Sequence, residues 1–139
     1  MSKAKTSRIN RAAQSAPVDV SKLCRDLVDW PRSWMGLEKD LPPGEALIVC
    51  FRPFIEYLAF TGLSAKTIRQ HVDNLWSLGG EIIRDLHYDP SLRKKPAEQL
   101  LRKAVHQYGG PAVHNASDEQ QRSVDSTCRK LHRFLGQSA

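Results

Sequence analysis

The chain has 139 residues, with 21 lysines and arginines against 15 aspartates and glutamates, for a formal charge of +6. Hydrophobic residues make up 40% and charged residues 26%, the balance of one globular domain, which excludes a collagen, a mucin-like stalk and a wholly disordered chain. A domain of this length can bury an adequate core without disulfides or metals.

The charge is unevenly placed. Residues 1–17 carry Lys3, Lys5, Arg8 and Arg11 with no acid, and little apolar surface to offset the entropy of ordering. They read as a disordered basic arm, and residues 18–139 as a single helical domain. Residues 18–90 hold 8 bases and 11 acids, whereas residues 91–139 hold 9 bases and 4 acids. The first 20 residues lack the apolar run of a secretory signal. The longest apolar run, Ala46 to Phe51, falls far short of the ~20 residues that span a bilayer. Cys24, Cys50 and Cys128 form no CxxC pair, as in proteins with reduced thiols. A cytoplasmic protein with no membrane partner is expected.

The elements follow in order. Ser21 is placed to cap a short helix with Leu23, Cys24, Leu27 and Val28 on one face, ending at Trp30-Pro31 because a residue before proline avoids the helical region. Trp30 and Trp34 should pin this element to the body. Leu41-Pro42-Pro43-Gly44 reads as a turn, and a central helix as running from about Glu45 to Phe60. Pro53 inside it predicts a kink or two shorter helices, and Thr61-Gly62 predicts its end. Ser64 then caps a long helix. From Ile68, the residues Val72, Leu75, Trp76, Gly79, Ile82, Ile83 and Leu86 hold a 3.6-residue period across Gly79-Gly80. That phase predicts one helix with a close packing approach at Gly79.

Tyr88 to Lys95 reads as a loop, with Pro96 suited to a first helical turn. A stripe from Ala97 to Tyr108 predicts a helix stopped by Gly109-Gly110-Pro111. Ser117 to Gln120 has the spacing of a capping box. The last helix carries Val124, Cys128, Leu131 and Leu135 on one face and is expected to stop at Gly136. No period-2 strand appears. The fold class is all-α, a compact bundle of about five helices.

The stretch from Phe54 to Leu86 has an F-x-x-Y-L helix, a Gly-Leu-Ser turn, then Lys-Thr-Ile opening a long amphipathic helix. It resembles the SAM-like core-binding domain at the N-terminus of phage integrases and other tyrosine recombinases, over about a quarter of the chain. The resemblance implies a SAM-like bundle that clamps DNA and a tie to mobile elements. No tyrosine follows Tyr108, and the recombinase Arg, His-x-x-Arg and Tyr set has no counterpart, so it implies binding without strand cleavage. Ser64, Lys66, Thr67, Ile68, His71, Val72, Asn74, Leu75, Leu78 and Gly79 are also similar to the recognition helix of the helix-turn-helix output domains of response regulators. Leu58 departs from that pattern, where a small residue is usual. The second resemblance implies that Lys66, Arg69, Gln70, Asp73 and Asn74 face the major groove, with Gln70 and Asn74 reading adenine edges. The other reading of the same helix is a core element with a solvated mixed-charge face.

On the last helix, 100° per residue puts Arg122, Arg129 and Arg133 opposite the apolar face, with Ser126 among them and Lys130 at the edge. Guanidinium forks placed this way suit phosphates. The other reading is a solvated face whose charge complements the helix dipole. Arg93-Lys94-Lys95 adds a basic loop, and the arm could track a groove. The partner expected is nucleic acid, in the form of duplex DNA. The alternative is a helical protein–protein adaptor or inhibitor acting on a partner protein, with Trp30 and Trp34 as anchors.

No catalytic constellation, cofactor motif or metal site is legible. GxGxxG, GxxxxGK[ST] and GxSxG are absent. Cys128 and His132 stand four apart, and two ligands do not make a zinc site.

Overall fold

The computed structural model describes residues 23–24 and 26–138. The basic arm and the expected cap at Ser21 lie outside them. A 3-10 turn at Leu27–Asp29 runs directly into α1 (Trp30–Trp34). Pro31 therefore opens this helix where it was expected to close one. In a first turn its missing N–H has no intrahelical partner to lose. A second 3-10 turn, Glu38–Asp40, leads into α2 (Leu41–Ala59). The same reason makes Leu41-Pro42-Pro43-Gly44 its first turn, and not the loop that the prolines suggest.

α2 is one helix through Pro53. Phe51, Phe54, Ile55 and Leu58 are all fully buried on either side of the proline, so packing holds both halves in line. Gly62, at φ +80°, ends the segment in the left-handed conformation open to glycine. α3 (Ala65–Tyr88) follows, with the Ser64 hydroxyl accepting from the Thr67 N–H at 3.1 Å. It runs unbroken across Gly79-Gly80, as the period predicts. The close approach at Gly79 is made by the Trp34 ring, which a Cβ there would strike.

A 3-10 turn at Pro90–Lys94 precedes α4 (Ala97–Ala104). α4 ends four residues before the expected Tyr108. Val105 turns extended, and His106 and Gly109 exchange backbone hydrogen bonds of 2.9 and 3.2 Å across a tight turn. Tyr108 is thrown out to 75% exposure. Gly109 has φ +149°, and the Asp125 carboxylate lies where its Cβ would be. α5 (Asp118–Ser138) opens on the reciprocal bonds Ser117 N–H to Gln120 Oε1 (2.8 Å) and Gln120 N–H to Ser117 Oγ (3.1 Å). It passes through Gly136, which was expected to stop it.

The five helices form a compact all-α bundle, with no strand among the described residues. α2 is central and packs on α1, α3 and α4, while α3 packs on α5. Trp30 is buried against Phe51, and Val124, Cys128, Leu131 and Leu135 are buried as their spacing predicts. No helix among the described residues is long and apolar enough to cross a membrane.

Candidate nucleic-acid interface

The orientation of α5 is set by polar bonds on two of its sides. On the α3 side the helices run antiparallel, since His71 meets Thr127 and Asn74 meets Ser123. His71 Nδ1 lies 2.7 Å from Thr127 Oγ1. The Asn74 amide donates to the Ser123 carbonyl (3.0 Å), the Ser123 hydroxyl (2.9 Å) and Thr127 Oγ1 (2.9 Å). On the other side, Asp125 Oδ1 accepts from the Gly110 N–H and the Gln121 amide, and Gln121 also ties Pro111 and Val113. A buried polar group left without its partner costs about 1–3 kcal/mol, so these bonds resist rotation of α5 about its axis.

With both sides fixed, the remaining arc faces solvent. Arg122 and Arg133 are exposed, and Arg129 and Lys130 are half-buried at its two edges. Arg129 Nη1 also donates to the Tyr108 carbonyl at 3.4 Å, which orients it along the 106–109 turn. Asp118, one turn before Arg122, and Glu119 are the exposed acids of the first turn of α5, while Asp125 is taken up by Gly110 and Gln121. Among the described residues, none of these four cations makes an ion pair.

The residues singled out on α3 divide three ways. Lys66 and Gln70 are exposed, and Gln70 Nε2 donates to Asn74 Oδ1 at 3.4 Å, which places it on the α5 side. Arg69 is exposed on the flank that carries Trp76, turned from α5. Asn74 is only 6% exposed, with its amide committed to α5. The base-reading role expected for Asn74 does not fit that placement, because the packing of α3 on α5 takes up its donors. Asp73 stays at the surface.

Arg93 is also used differently from the expectation. Its guanidinium donates to Asp40 Oδ1 at 2.7 Å and to the Lys39 carbonyl at 3.2 Å. Asp40 Oδ2 takes the Gly36 and Leu37 N–H groups and His87 Nε2, all within 2.9 Å. Burial alone would raise the Asp40 pKa, but these donors overcome it and hold the carboxyl well below the usual range. Arg93 thus clamps the Pro90–Lys94 turn to the Glu38–Asp40 turn ahead of α2, and the basic loop offers only Lys94 and Lys95 to solvent.

Of the expected adaptor anchors, Trp30 is buried and Trp34 is half-buried. Trp30 is 3% exposed, and Trp34 lies over Gly79 with its indole N–H on the Trp76 carbonyl. The exposed tryptophan is Trp76, at 43%, which its period had placed in the core. No family model matches the chain, and no curated protein or solved structure is similar to it.

The cysteines carry no activated thiol. Burial, reinforced by Asp26, pushes Cys24 up to about 12, and burial with Asp125 pushes Cys128 up to about 12. Cys128 is fully buried while His132 is exposed, so this pair does not converge on a metal. His71 is held below its usual value near 6.5 by burial and then by Lys130.

Proposed function

We propose that this chain is a non-catalytic DNA-binding protein that contacts duplex phosphates through the outer arc of α5. The observation that carries the reading is the set Arg122, Arg129, Lys130 and Arg133, held outward by bonds on both flanks of the helix and left without carboxylate partners among the described residues. Lys66 and Gln70 extend this surface onto α3. Lys3, Lys5, Arg8 and Arg11 of the arm add four charges to the chain. The resemblance of residues 54–86 to the core-binding domain of tyrosine recombinases supports the same partner and a mobile-element setting, with the SAM-like type of bundle as part of that proposal.

A salt titration tests it. Affinity for a duplex should fall by about 0.9 log units per log unit of salt for each phosphate neutralised, so four contacts give a slope of about −3.6. The double variant Arg129→Glu, Arg133→Glu should abolish binding and keep the helical circular dichroism of the parent. Retained affinity in that variant, or no binding to any duplex at low salt, would overturn the reading.

A further inference from the structure

A groove of about 540 Å³ opens between α3 and the start of α5. It is bounded by α3, the segment 113–116 and the first turns of α5, and Trp76 forms one wall. A second depression of about 270 Å³, with Asp26 and Val72 in its lining, shares the same indole. Trp76 is therefore a ridge between two hollows. It is also a fixed one. Its Nε1 donates to Ser33 Oγ at 2.8 Å, its carbonyl accepts from Trp34 Nε1 at 3.0 Å, and Ser33 is itself bonded to the Trp30 carbonyl at 2.7 Å. An aromatic ring 43% exposed and held by its polar edge presents surface with little entropy left to lose on binding.

The charges around this ridge are of the opposite sign to those on α5. Asp73 belongs to both hollows, Glu119 to the larger and Asp26 to the smaller. All three are exposed, and none is in an ion pair among the described residues. Arg84, in an adjoining depression, is already paired with Glu81 at 3.7 Å. Arg69 stands one turn before Asp73 on the helix and leaves the balance negative. A rigid indole edged by carboxylates that make no ion pair among the described residues fits a guanidinium, which stacks on the ring and donates to the acids.

We propose that the Trp76 groove is a docking site for an arginine-bearing segment of a partner protein. It is a second binding surface, meeting the proposed DNA surface at Gln70 and Glu119, and it does not depend on the DNA reading. A nucleic acid does not suit it, because phosphates would meet Asp73 and Glu119.

The test uses the full chain, a synthetic Gly-Arg-Gly-Arg-Gly-Tyr peptide and its citrulline counterpart, followed by calorimetry and tryptophan fluorescence. Saturable binding of the arginine peptide is expected, with at least tenfold weaker binding of the uncharged citrulline peptide. Trp76→Ala should lose about tenfold. The surface double variant Asp73→Asn, Glu119→Gln, which leaves the indole and its bonds in place, should lose a similar factor. The variant Arg129→Glu, Arg133→Glu should bind the peptide as the parent does. Equal affinity for both peptides, or undiminished binding by both groove variants, overturns the proposal. So does a Trp76-dependent response to single-stranded oligonucleotide in place of peptide. A rise in affinity for the peptide when Lys3, Lys5, Arg8 and Arg11 are all replaced by alanine would make the chain's own arm the occupant, and overturns it too.

Discussion

Arg93 and the arginines of α5 are the same residue type in the same basic third of the chain, and the fold uses them in opposite ways. Arg93 is 17% exposed and faces a carboxylate with no exposure at all. Arg122 and Arg133 face water, with helix bonds and packing behind them and no ion pair among the described residues. Net charge counts both alike. Only the second kind is available to an external anion, because a guanidinium already paired would have to abandon a buried partner first.

The sharpest way to break this contrast is to truncate one arginine of each kind. Arg93→Ala leaves Asp40 buried with His87 and two backbone N–H groups but without its permanent cation. Removing one partner of a buried pair costs about 3–5 kcal/mol. Arg133→Ala touches nothing buried and should stay within about 0.5 kcal/mol of the parent. Urea denaturation of both variants measures the difference, and DNA affinity should rank them in the reverse order. Equal stabilities would mean that the Asp40 clamp is no more than a surface pair.

Acid sharpens the same comparison. The Asp40 carboxyl is depressed in the folded chain, so its contribution is fully present above the ordinary aspartate range and is lost as pH falls through about 4 and below. The parent should lose stability steeply under acid below about pH 5. Arg93→Ala, whose Asp40 is less depressed, should show a shallower acid limb in denaturation curves taken across that range. Arg133→Ala leaves the Asp40 clamp untouched and should follow the parent.

A smaller effect separates packing from recognition on α3. Asn74→Ala strands the polar groups of Ser123 and Thr127 and should cost about 1–3 kcal/mol by urea denaturation. It should leave the sequence preference of any bound duplex unchanged. A residue that read adenine would behave the other way, with stability kept and preference altered.

Most of the bundle was legible in local signals. The caps at Ser64 and Ser117, the left-handed Gly62 and the 3.6-residue phase through Gly79 act within a few residues of where they are written. The prolines misled because Pro31, Pro42 and Pro43 break a helix in its interior and suit its first turn, and the distinction depends on where the helix begins. Tyr108 continued a stripe that the His106–Gly109 turn cuts, since Asp125, sixteen residues on, fills the space beside Gly109. On the candidate site, periodicity placed the α5 arc correctly because a helix face is a local property. It could not tell that Asn74 faces a second helix, that Arg93 has Asp40 as its partner, or that Trp76 is left uncovered at the edge of its stripe. Each of those depends on a contact more than 40 residues away.

Lys130 belongs to both sides of the contrast, and its removal is the finest test of it. The side chain is half-buried beside the His71–Thr127 contact and also ends the cationic arc. Burial disfavours the imidazolium of His71 first, and the ammonium of Lys130 disfavours it further. A histidine held below its usual value contributes stability that is present above about pH 6.5 and declines as pH falls through that value toward the folded pKa. Lys130→Ala removes the repulsive charge and leaves the burial. The His71 pKa should therefore rise toward 6.5 without reaching it, which the Cε1–H shift in an NMR titration reports. The same variant removes one candidate phosphate contact, so the slope of log affinity against log salt should become shallower by about 0.9. A rise in the His71 pKa with an unchanged salt slope would place Lys130 with the packing groups, and the basic arc would then consist of the three arginines alone.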